Sequence, residues 1–74
     1  MGENDKLKRE ALLDQYIKQN NTDGACKLLF DLVVEYAKEK NFKKAEALHE
    51  KFYDVDPMAL TEIVRSGEII EQEK

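Results

Sequence analysis

Residues 25–37 of this chain hold ten apolar side chains out of thirteen, interrupted only by Lys27, Asp31 and Glu35. These three charges stand four residues apart, and Lys38 extends the line after three more. That spacing returns all four to one narrow ridge of a helix, whereas a helix on the outside of a bundle shows a broader polar face. One apolar stripe comprises Ala25, Leu28, Leu29, Leu32, Val33, Tyr36 and Ala37, and a second, flanking stripe comprises Cys26, Phe30 and Val34. A helix over 23–39 therefore has to be covered from more than one side, because large apolar patches seldom persist on monomers. Helices of the same chain are the first candidates for that cover. A partner chain laid against the second stripe is the other.

The rest of the sequence supplies such helices. Apolar residues recur at helical spacing throughout, and strand-like alternation is absent. A first helix is predicted over 5–19, with Asn4 or Asp5 as its cap, Leu12, Leu13, Tyr16 and Ile17 as its apolar stripe, and Leu7 pointing elsewhere. Residues 20–24, Asn-Asn-Thr-Asp-Gly, read as a turn. Asn41 caps a third helix over 42–53, whose inward arc is Phe42, Ala45, Leu48, His49 and Phe52. Asp56-Pro57 signals the start of a fourth, with aspartate as cap and proline at the first helical position. That helix is expected to pass through Met58, Leu60, Ile63 and Val64 and to end near Ser66-Gly67.

The expected fold class is all-α: four short helices, the second and third forming a central antiparallel hairpin with one helix on each side. Residues 1–67 make up a helical interaction domain, and 68–74 an acidic tail or a linker to a following domain. Ile69 and Ile70 find no obvious place in it and would meet the next segment.

Size and charge narrow the function. Seventy-four residues make one domain at most, and a chain this short rarely spares the roughly 300–1,000 Å³ of a ligand pocket. The net charge of −4 argues against a nucleic-acid phosphate backbone as partner. Residues 1–53 balance ten Lys/Arg against ten Asp/Glu. Residues 54–74 set six acidic side chains against Arg65 and Lys74, so the whole excess lies in the C-terminal part. It reads as a solvated last helix and tail, or as a docking strip for a basic partner. A single cysteine excludes an intramolecular disulfide, and no apolar run has the length of a membrane span, nor does a signal peptide open the chain. A cytoplasmic location is expected, with no membrane partner.

No catalytic or cofactor-binding constellation emerges. His49 lies in an apolar arc without a second histidine or a cysteine at ligand spacing, and zinc needs three or four such ligands. Cys26 falls in the first turn of a helix, where the dipole favours thiolate, but an ordinary buried thiol is the better reading. Gly2, Gly24 and Gly67 are isolated and build no phosphate loop. Glu46 and Glu50 share a helix face, as many solvated glutamates do. Lys38, Lys40, Lys43 and Lys44 gather at the bend between the second and third helices, where lysines complement a helix C-terminus or offer a contact for an acidic group.

The stretch 26–59 resembles a tetratricopeptide repeat, a helix–turn–helix unit of 34 residues. Leu29, Leu32 and Tyr36 stand in register with its first-helix anchors, Phe42 and Ala45 with the second-helix aromatic and small residue, and Pro57 with its terminal proline. Val33, Lys40, His49 and Phe52 depart from the pattern, Lys40 replacing a turn glycine. The chain as a whole, through Leu29-Phe30, Tyr36-Ala37, Lys43, the run Ala45-Glu46-Ala47-Leu48, the run Val55 to Leu60 and the run Ser66 to Glu71, is similar to the N-terminal region of some bacterial cyclic-nucleotide-binding regulatory proteins. That resemblance implies an accessory domain for dimerisation, localisation or signal relay, with the nucleotide site beyond Lys74.

The sequence thus points to a non-catalytic helical interaction or dimerisation module that binds a protein, a second copy, or a downstream domain of its own chain. Phe30 and Val34, on the surplus stripe, are the first candidates for contact, followed by Lys40, Lys43 and Lys44. Two other classes stay open: a structural bundle or spacer whose second stripe is filled internally, and a helical DNA-binding module, for which the fourth helix offers only Arg65.

Overall fold

A computed structural model describes the backbone of residues 2–74 and the side chains of residues 6–74. Four helices follow in order, α1 (Gly2–Lys18), α2 (Thr22–Lys38), α3 (Phe42–Val55) and α4 (Leu60–Glu73), and the described residues contain no strand. The class is all-α.

The turns after α1 and α2 are copies of one another, displaced by twenty residues. Asn20 and Lys40 take the left-handed conformation, at φ 59° and 65°. The N–H groups of Asn20 and Asn21 bond back to Ile17 and Tyr16, and those of Lys40 and Asn41 to Ala37 and Tyr36. Each turn thereby closes the preceding helix as a Schellman motif. Asn21 and Asn41 then cap the next helix, their side chains accepting from the N–H of Gly24 and of Lys44. One asparagine ends a loop and begins a helix in both places, so both reversals are tight and the three helices run antiparallel in sequence.

α2 is the centre. It packs against α1, α3 and α4, and Ala25, Cys26, Leu29, Leu32, Val33, Tyr36 and Ala37 are all buried. Facing them are Leu13 of α1, Ala45, Leu48 and Phe52 of α3, and Ile63 and Ile70 of α4. Burying a side chain of this size contributes about 1.5–3 kcal/mol, so this cluster carries most of the domain's stability. The chain itself buries the first stripe of α2 except half-buried Leu28, and Cys26 of the second; Phe30 and Val34 are half-buried.

Three local expectations are corrected. α1 begins at Gly2 rather than at 5, and the capping expected of Asn4 or Asp5 falls on side chains outside the described ones. Of its predicted stripe only Leu13 is buried; Tyr16 is half-buried, while Leu12 and Ile17 are exposed. The inward face is charged instead, with Lys6 buried and Arg9 and Glu10 half-buried.

The second correction concerns Asp56-Pro57. α3 continues to Val55, and the Asp56 N–H closes it on the carbonyl of Phe52 at 2.8 Å. Asp56 next turns the chain: its carbonyl accepts from Ala59 at 3.0 Å and its side chain from Met58 at 3.1 Å. Pro57 occupies the second position of that turn, which wants the same φ as the first position of a helix. α4 therefore starts at Leu60, without a side-chain cap.

Thirdly, α4 does not stop at Ser66-Gly67 but runs to Glu73. Ser66 is buried and turns its hydroxyl back onto the Glu62 carbonyl at 2.7 Å, so its polarity is satisfied within the helix. Residues 68–73, expected as an acidic tail or linker, form its last turns. Ile70 is buried in the core and Ile69 packs against it, so neither waits for a following segment.

Candidate interaction surface

α1 is held to the bundle by a seam of charges. Lys6 pairs with Glu39 and lies 5.1 Å from the centre of the Tyr36 ring. Both terminal nitrogens of Arg9 bond the Glu35 carboxylate, one at 2.6 Å. That contact is the main reason the Glu35 carboxyl lies below its ordinary range, against the opposing pull of burial. The Tyr36 hydroxyl donates to Glu10 at 2.8 Å, and Glu10 also receives Lys44 at 3.2 Å. Burial first, and Glu10 second, push the Tyr36 phenol up to about 12. Lys6, Glu10, Tyr36, Glu39 and Lys44 line a cleft of about 270 Å³ between α1, α2 and α3. Its charges are already matched to one another.

The residues expected to make contact divide accordingly. Phe30 and Val34 are half-buried along one edge of α2, and Phe30 packs against the core. Lys40 bonds Glu73 at the end of α4, at 3.1 Å, and Lys44 is held by Glu10. Lys43 is exposed, with no ion pair among the described residues. The lysine cluster is thus split, two of its members tying helices together.

The groups with chemical potential are equally occupied. His49 is half-buried, its Nε2 lies 2.8 Å from the carbonyl of Ile63, and its ring meets Phe52 and Tyr53 edge-on. Cys26 is buried, and desolvation, followed by the Asp56 carboxylate, raises its thiol above the ordinary value. Helix-dipole activation of the thiol is therefore overridden by its surroundings. Among the described residues no three His, Cys, Asp or Glu side chains converge for a metal ion, and no helix is long and apolar enough to cross a membrane.

Besides Leu7, Leu12 and Ile17 of α1, exposed large apolar side chains gather toward the turn where α3 meets α4. Tyr53, Met58, Leu60 and Val64 are 55%, 80%, 61% and 56% exposed. The two helices meet at His49, which spans to Ile63, and a Cβ on Gly67 would stand 3.2 Å from His49 Nε2. Leu60, Val64, Gly67 and Glu71 follow one another at helical spacing, so they share the side of α4 that faces α3. At the other end, Lys74 bonds Glu46 of α3 at 2.9 Å and Glu71 of α4 at 3.3 Å. The face is apolar toward the turn between the helices, with Tyr53, Leu60 and Val64 exposed, and carries Glu46 and Glu71 at the opposite end. Sequence reasoning places Leu60 and Val64 on the stripe of the fourth helix without separating them from buried Ile63, and it passes over Tyr53 because the aromatic pattern carries no sign of which side is covered. The chain matches no protein-family model, no curated protein and no solved structure.

Proposed function

We propose that this chain is a non-catalytic helical module that binds another protein through the face shared by α3 and α4. One observation carries the proposal: Tyr53 of α3 and Leu60 and Val64 of α4 are exposed on two helices that pack against each other, in a bundle whose central helix has its main apolar stripe buried by its own chain. Surface apolar residues are ordinary one at a time, but grouped with a polar rim they mark contact sites.

The finer setting rests on resemblance. Lys40 takes a left-handed conformation where a tetratricopeptide repeat carries its turn glycine, and α4 stacks on both helices of the α2–α3 hairpin; both features support a single repeat-like unit. The similarity to the N-terminal region of bacterial cyclic-nucleotide-binding regulators supports an accessory role in a larger cytoplasmic regulatory protein.

The test is a double substitution, Leu60→Glu with Val64→Glu, used as bait beside the unaltered chain in crosslinked cell extract. Both positions are exposed, so circular dichroism and the unfolding midpoint should change little. The proposal expects a retained protein that the double variant loses. Retention of the same proteins by both baits contradicts it.

A further inference from the structure

The face shared by α3 and α4 has two unlike ends, and their chemistry describes what fits. On α3, Glu46, Glu50 and Tyr53 are exposed at spacings of four and three residues, which places them along one side. On α4 the facing line runs from Leu60 and Val64 to Glu71. At about 1.5 Å per residue these lines are about 10 and 16 Å long, the length of two to three helical turns. Glu46 and Glu71 converge on a single ammonium, that of Lys74, whose pKa they raise above the ordinary lysine value, the Glu46 hydrogen bond contributing most. An intrachain cation therefore already demonstrates that the acidic end accepts a lysine from above. Glu50, one turn further along α3, is exposed, borders the cleft lined by Glu10, Lys44 and Lys51, and has no ion pair among the described residues. α4 itself carries Glu62, Glu68, Glu71 and Glu73 against a single cation, Arg65. A second copy of the same face would bring acid against acid.

We infer that the face shared by α3 and α4 receives a basic amphipathic helix from another protein, its apolar anchors against Tyr53, Leu60 and Val64 and its Lys or Arg side chains on Glu46, Glu50 and Glu71. This deepens the interaction reading given above and rests on it. The mode is that of an amphipathic helix docked by its apolar face, with anchors on one stripe. Two apolar residues at i and i+4 reach the open end, and cations at about i+7 and i+11 reach the acids. Lys74 competes with the incoming cations for the same two carboxylates.

The probe is a synthetic fluorescein-labelled peptide of fourteen residues with Leu at i and i+4 and Arg at i+7, i+8 and i+11, set beside a scrambled peptide and one with Glu in place of Arg. Anisotropy gives affinity, and amide shifts of the full chain give the site. The expected result is saturable binding of the basic peptide alone, weaker at high salt because the pairs are exposed, with shifts confined to α3 and α4. Glu46→Lys with Glu50→Lys should weaken it about tenfold, and Lys74→Ala should tighten it about threefold, the scale of one or two exposed ion pairs. Equal binding of the Glu peptide, no saturable binding, or an unchanged affinity in Lys74→Ala overturns the inference. So does self-association through Leu60 and Val64 in sedimentation. If the peptide fails while the Leu60→Glu, Val64→Glu bait still loses its partner, the interaction reading survives and only the basic helix is wrong.

Discussion

Glu35 of α2 accepts both terminal nitrogens of Arg9 of α1, twenty-six residues away in the chain. With Lys6–Glu39 and Lys44–Glu10 it makes the first helix adhere by charge as much as by apolar burial.

The pH dependence follows from the sign of the shift. The Glu35 carboxyl is held below about 4.5, its ordinary value. A depressed carboxyl stabilises the fold above the unfolded value and loses that contribution as pH falls through the folded one. Glu35 is partly open to solvent, so screening limits the pair to about 1 kcal/mol. Glu35→Gln should therefore cost about 1 kcal/mol at pH 7 and less at pH 3, below the ordinary carboxylate range. Urea unfolding of both proteins at the two pH values checks it; an equal difference at both would contradict the pairing.

The core makes a graded prediction. Leu29 is wholly buried and Phe30, its neighbour, half-buried against the same cluster. Leu29→Ala should cost about 2–5 kcal/mol, enough to unfold much of so small a domain. Phe30→Ala should cost about 1–2 kcal/mol, since only part of its ring leaves water. Calorimetry or urea midpoints rank them, and the reverse order would place Phe30 in the centre.

Lys40 holds a left-handed backbone at φ 65°, a conformation costing a residue with a side chain roughly 1–2 kcal/mol relative to glycine. Its exposed pair with Glu73 returns a few tenths of a kcal/mol. Lys40→Gly should stabilise the protein by about 0.5–1 kcal/mol, and Asn20→Gly at the matching turn should change little, because asparagine tolerates that region. Loss of stability in Lys40→Gly would show that its side chain matters more than its backbone.

Gly67 and His49 should be coupled. Alanine in a helix gains about 0.5–1 kcal/mol over glycine, but a Cβ at 67 would crowd His49 Nε2 at 3.2 Å and disturb its bond to Ile63. Gly67→Ala is therefore expected to be near neutral alone and stabilising by about 0.5–1 kcal/mol in a His49→Ala background. The same effect in both backgrounds would mean that the two residues do not press on one another.

These residues also explain which parts of the fold are readable in the sequence. α2 is readable because ten apolar residues in thirteen leave only one ridge for water, and the burial of Ala45, Leu48 and Phe52 follows from ordinary helical spacing. α1 is not, because apolar periodicity selects Leu12 and Ile17, while Lys6, Arg9 and Glu10 turn inward onto partners that exist only once α2 and α3 are in place. Proline in a turn and proline at a helix start demand one φ, so Pro57 alone does not distinguish them. Gly67 resembles a stop until its close approach to His49 is known. The open face of α3 and α4 has the spacing of a core stripe, and only the positions of neighbouring helices separate Ile63 inside from Leu60 and Val64 outside.

Amide hydrogen exchange of the isolated chain, followed at two protein concentrations, tests the self-covered centre most directly. Amides of residues 28–37 should be the last to exchange, at a rate that does not change on dilution. Faster exchange of that stretch in the dilute sample would mean that a second chain completes the cover of α2, and the open α3–α4 face would lose its claim to be the surface left for a partner.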